Sequence, residues 1–171
     1  MLHYNSAPPV SLLLVVFLLV CACGKMEEPS SLHERLFVMD AHSDTIDKSD
    51  DFGKYISGTH MDLDRLKVGG VDCVVFACYI NPHLGREHYV ERMMEMLDNF
   101  YTQCERYPDR LEVALTAADV RRINRQGKLA GILSIESGHA IVNRLDVLRM
   151  YWRMGVRSMT LTWHSSNDWA D

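Results

Sequence analysis

The residue pattern predicts an α/β fold, a parallel sheet of the (β/α)8 barrel type carried to about its fifth strand. Three observations predict it. From Leu36 onward, short apolar runs rich in β-branched residues alternate with stretches at helical spacing, and repeated β-then-α order means parallel strands joined by helical crossovers. No G-x-G-x-x-G follows any of these strands, which removes the usual nucleotide fingerprint of an open doubly wound sheet. Finally, a closed barrel needs eight strands in typically ~250 residues. Here the pattern holds about five and ends on Asn167-Asp168-Trp169-Ala170-Asp171, an unfinished turn after a strand. The expectation is a truncated barrel.

The elements follow in order. Val10 to Ala22 (VSLLLVVFLLVCA) is apolar but shorter than the ~20 residues a membrane-spanning helix needs. It suits the apolar centre of a signal peptide. Val20-Cys21-Ala22-Cys23 looks like a bacterial lipobox, with Cys23 as the residue to be lipidated, although the preceding stretch has no Lys or Arg. A plain secretory signal is the other reading. The expected divisions are therefore a lipoprotein-type leader over 1–22, a lipidated Cys and polar tether over 23–35, and the body over 36–171. That places the body outside the cytoplasm, tethered to the cell envelope or, on the plain-signal reading, secreted.

In the body, LFVMDAH (36–42) reads as a strand and MDLDRLKVGG (61–70) as a helical turn or two stopped by Gly69-Gly70. VDCVVFACYI (71–80) is nearly continuous apolar sequence, as in a strand buried on both faces. Arg86 to Tyr107 has helical spacing, with Met93, Met94 and Met96 among its core-facing residues. Strands are expected at 110–116, 131–137 and 157–163, with helices at 117–128 and 145–155. Tyr151 and Trp152 sit at core spacing on the last helix.

Composition narrows the function. Of 171 residues, 47% are apolar and 24% charged, as in a foldable globular chain. A net charge of −5 argues against a nucleic-acid partner, which needs clustered Lys and Arg. Cys73, Cys78 and Cys104 lack metal or redox spacing and read as buried thiols. The first two are five apart on one strand and so face opposite sides.

Chemistry concentrates at two strand ends. In Asp40-Ala41-His42-Ser43-Asp44 the alternation of a strand points His42 and Asp44 the same way, ~6.6 Å apart along the backbone. An imidazole and a carboxylate at the C-terminal end of a barrel strand suit a zinc-type cation; a turn or helix cap is the plainer reading. Glu136 ends the apolar strand GILSIE and must find a cation or a donor to offset desolvation. A salt bridge would serve, and so would metal, since one Glu can bridge two ions ~3.5–4 Å apart.

Several separate segments resemble the membrane dipeptidase (renal dipeptidase) family of zinc peptidases. They are Val38-Met39-Asp40-Ala41-His42-Ser43-Asp44, His60-Met61-Asp62-Leu63-Asp64-Arg65-Leu66-Lys67-Val68-Gly69-Gly70-Val71, and Ile135-Glu136-Ser137-Gly138-His139. The match continues through Leu145 to Gly155 and Thr160-Leu161-Thr162 into Asn167-Asp168-Trp169-Ala170-Asp171. The resemblance implies a (β/α)8 metallohydrolase that cleaves dipeptides with metal-activated water, using two Zn2+ ions per full-length active site. It implies His42 and Asp44 as ligands of one ion, Glu136 as the bridge and a catalytic group, and two further His ligands that these 171 residues do not carry. Dipeptides are the implied partners, with membrane attachment through the N-terminal lipid and a homodimer left open.

Two positions depart from the family pattern. Ser137 stands where Gly is common, and Trp163 stands where many members carry the His that stabilises the tetrahedral intermediate. His164, one place later, is the candidate to take that catalytic role if the strand has already ended. The alternative is a catalytically inactive fragment or degenerate lipoprotein that keeps the barrel signature, and three ligands alone are expected to leave the fragment inactive. An amidohydrolase of another type ranks last, because it predicts His-x-His on the first strand. Among the other histidines, His60 is expected to position its helix by hydrogen bonding, His139 to be structural, and His83 and His88 to be solvated.

Overall fold

The computed structural model describes residues 29–169; the predicted leader and Cys23 lie outside them. Among the described residues no helix is long and apolar enough to cross a membrane. The chain divides into two units after Leu36. In the first, a short helix α1 (Pro29–His33) is followed by a turn in which Leu36 N–H donates to the His33 carbonyl (3.1 Å).

The second unit holds five parallel strands, β1 (Met39–Ser43), β2 (Cys73–Tyr79), β3 (Leu111–Val113), β4 (Leu129–Glu136) and β5 (Val156–Met159). Between them lie α2 (Thr45–Lys48), α3 (Leu63–Val68), α4 (Tyr89–Arg106), α5 (Ala117–Arg125) and α6 (Leu145–Arg153). Local chemistry sets the helix starts. Asp62 Oδ1 accepts the Arg65 amide (2.8 Å) to cap α3. For α5, Thr116 and Asp119 cap reciprocally: the Asp119 amide donates to the Thr116 hydroxyl (3.1 Å), which donates to the Asp119 carboxylate (2.8 Å). Asp62, not the exposed His60, thus positions α3, because a carboxylate two residues nearer the helix reaches the orphan amides directly.

The α/β architecture is as predicted, but the strand order is not that of a regular barrel. The sheet runs β1-β2-β4, with β3 beside the N-terminal part of β4 and β5 beside its C-terminal part. The strand expected over 110–116 stops at Val113, because the chain turns away to supply Thr116 as the α5 cap. Being so short, β3 leaves the C-terminal part of that edge of β4 to β5, while β2 pairs along the other edge from Cys73↔Ala130 to Tyr79↔Glu136.

That order decides where the helices go. A right-handed crossover places its helix on one face when the chain steps one way across the sheet, and on the other face when it steps back. The steps from β1 to β2, β2 to β3 and β4 to β5 run one way; only the step from β3 to β4 runs back. Accordingly Val74, Phe76, Cys78 and Ile80 pack with Ile46, Leu63, Phe100 and Tyr151 from α2, α3, α4 and α6. Cys73 and Ala130, on the opposite face, pack with Ile123 of α5.

Gly131 marks where α4 comes closest. A Cβ there would lie 2.5 Å from Phe100 Cζ and 3.2 Å from Phe76 Cε2, so the strand gives up a side chain to admit Phe100. Met93 and Met96 of α4 are fully buried as expected, whereas Met94 is 41% exposed. Trp152 is also exposed (58%), contrary to its core spacing, with the Arg157 guanidinium 4.1 Å over its ring.

Candidate metal centre

β1 and β4 end at the same edge of the sheet, and their last residues bring the predicted ligands together. His42 Nε2 lies 3.3 Å from Glu136 Oε2 and 3.5 Å from Asp44 Oδ1. One donor atom from each of His42, Asp44 and Glu136 falls within 4.8 Å of the others. β2 runs between the two strands. By alternation with Phe76 and Cys78, which face the helices, it turns Ala77 and Tyr79 to the site's face, with Tyr79 opposite Glu136.

Burial divides the three. The Glu136 side chain is 16% exposed, those of His42 and Asp44 about half exposed at 49% and 51%. The donor set is one nitrogen and two carboxylates, which suits a zinc-type ion better than a soft metal. A carboxylate held at a strand end beside an imidazole, with open solvent on one side, is a site that a divalent cation fits.

The loop after β1 is fastened from behind by α4. Asn99 Nδ2 donates to the Ile46 (3.0 Å) and Ser49 (2.8 Å) carbonyls, and Gln103 Nε2 to the Asp50 carbonyl (2.7 Å). Gln103 Oε1 accepts the Phe52 amide (3.0 Å), and Arg92 pairs with Asp47 (2.5 Å). These contacts hold the turn that presents Asp44, and no periodic pattern announces them. Tyr79, opposite Glu136 in the ladder, has its hydroxyl pKa raised, first by burial and then by the Glu136 and Asp47 charges.

His164 lies outside the triad. β5 ends at Met159, so no strand alternation governs residues 163 and 164, and the Trp163 ring instead leans on Tyr79 (centroids 4.7 Å) with His164 edge-on against it (4.3 Å). His139 does not join the cluster either: its Nδ1 shares a hydrogen bond with Ser137 Oγ (2.6 Å) and its ring meets Tyr89 edge-on. His83 and His88 are exposed, with His88 Nδ1 3.0 Å from Glu91. Cys73 and Cys78 face opposite sides of β2, as expected; burial pushes their thiols up to about 11 and about 12.

A family model for the membrane dipeptidases (peptidase family M19) matches residues 26–171. Dipeptidase verJ of Clonostachys rogersoniana is 35% identical over 122 residues, which is 66% of this chain and 31% of that protein. Dipeptidase 3 of Mus musculus is 36% identical over 109 residues, 64% of this chain and 21% of that one. Of solved structures, a dipeptidase AC of family M19 superposes with a TM-score of 0.66 at 26% identity, covering 75% of this chain and 43% of its own. A Rhodobacter sphaeroides metallopeptidase, liganded with a phosphinate mimic of the dipeptide L-Ala-D-Ala, shares the fold with a TM-score of 0.69 at 24% identity, covering 77% and 46%. The chain spans about a fifth to a third of the curated relatives.

Proposed function

Because the chain belongs to the membrane dipeptidase family, we propose that the whole protein is a zinc-dependent dipeptidase whose centre is built in part by His42, Asp44 and Glu136. The observation that supports this reading is the convergence of those three donors, from β1 and β4, within 4.8 Å. His42 and Asp44 would hold one zinc ion and Glu136 would share its oxygens with a second, the remaining ligands coming from outside these residues. When bound, the ions supply a water of lowered pKa and polarise the scissile carbonyl.

The chain's own residues bind and orient. The ends of β1 and β4 and the turn after β1 carry the donors, and Tyr79 with Trp163 forms an aromatic wall beside Glu136. His164 would offer an N–H to the carbonyl oxygen as negative charge develops there. Cys23 would carry the lipid that anchors the protein outside the cytoplasm, in which case Cys23→Ser releases it from the membrane fraction.

The test is turnover of a dipeptide panel by the full-length protein. A chelator should abolish hydrolysis, zinc should restore it, and Glu136→Gln should lower it by roughly 100-fold or more. Turnover unaffected by chelator would overturn the reading. Zinc binding without turnover would favour a degenerate member that keeps the site but not the chemistry.

A further inference from the structure

The residue after Glu136 sits in a backbone conformation that side-chain-bearing residues rarely adopt: Ser137 has φ +86° and ψ 122°. It is also fully buried. Three contacts hold it. Its amide donates to the Thr160 hydroxyl (3.1 Å), its carbonyl accepts the Ala140 amide (3.3 Å), and its own hydroxyl shares the 2.6 Å hydrogen bond with His139 Nδ1. The His139 ring is in turn backed by Tyr89, whose hydroxyl donates to the Pro82 carbonyl (2.7 Å). Gly138 leaves no slack, since a Cβ there would lie 2.5 Å from Trp169 Cζ2 and 2.6 Å from the Leu161 carbonyl.

We propose that His139 is a positioning residue: by gripping the Ser137 hydroxyl it holds the strained backbone that aims the Glu136 carboxylate at His42 and Asp44. This rests on the reading of those three residues as zinc ligands. The alternation of β4 carries Glu136 to the site's face, but the direction of its last bond depends on where residue 137 goes. Without the His139 contact, Ser137 gains by relaxing toward negative φ, and the relaxation turns Glu136 away. A glycine at 137 has no such incentive, so it needs no clamp.

The prediction is therefore an interaction between two positions, read as zinc affinity by competition with a chelating dye and as melting temperature, in the full chain. His139→Ala should weaken zinc binding by about tenfold or more, the scale of a lost partner behind a metal ligand. His139→Asn, whose amide can replace Nδ1, should restore most of it. Ser137→Gly alone should raise the melting temperature, and in the His139→Ala background it should return zinc affinity to within about threefold of wild type. Equal losses from His139→Ala in the Ser and Gly backgrounds would overturn the clamp, as would an unchanged affinity in His139→Ala. If the wild type takes up no zinc, the ligand reading fails. The clamp is then judged on melting temperatures, where rescue by Ser137→Gly supports it and simple additivity overturns it.

Discussion

Asp51 is where a single residue makes stability depend on pH. Its carboxylate accepts the Tyr107 hydroxyl, the Lys54 ammonium (2.9 Å) and the Gly53 amide (3.2 Å), and Arg106 lies 3.3 Å away. The Tyr107 bond, then Lys54, holds its pKa down to about 2. Folded below its unfolded value of ~3.9, Asp51 contributes stability that is fully present above that value and is lost as pH falls through about 2. Tyr107→Phe removes the largest cause, so the variant should lose more stability at pH 7 than at pH 2, measured as urea midpoints at both. An equal loss at both would show that the hydroxyl's contribution does not depend on the charge of Asp51. His42, Asp44 and Glu136 were legible in the sequence because a polar residue ending an apolar strand needs a reason. The Ser137 dihedral was announced only by a serine where glycine is common, and the contacts from Thr160 and His139 that hold it come from the fold.

The elements were largely legible too, and their order across the sheet was not. Periodicity reports which face of a strand is apolar, but the pairing of β5 with β4 depends on β3 stopping at Val113, and the chain turns there to supply the cap at Thr116. The helix expected over 117–128 is α5, and its Ile123 covers Cys73 and Ala130 because a backward step with right-handed connection puts it on that face. The joint between β4 and α4 offers a test at this scale. Gly131→Ala should overpack against Phe100 and Phe76, lowering stability by about 1–3 kcal/mol. Phe100→Leu, destabilising on its own through the space it leaves, should become less so in the Gly131→Ala background. A double-mutant cycle by thermal denaturation measures the coupling, and strict additivity would mean the methyl group is accommodated elsewhere.

For the whole molecule, His42 and Glu136 lie more than ninety residues apart in the chain, so holding one ion ties the end of β1 to the end of β4 across β2. A ligand that binds only the folded state stabilises it by RT ln(1 + [L]/Kd), about 2.7 kcal/mol at a hundredfold excess over Kd. For a unit of this size that corresponds to a melting temperature higher by roughly 10 °C. Zinc should produce such a rise, chelator should reverse it, and Glu136→Gln should remove the zinc-dependent part while leaving the metal-free melting temperature close to wild type. The ion must act through these residues for that pattern to appear. A zinc-induced rise that survives Glu136→Gln would place the metal elsewhere. The clustered donors would then be no more than a hydrogen-bonded junction between two strand ends, with the backbone grip at Ser137 serving stability alone.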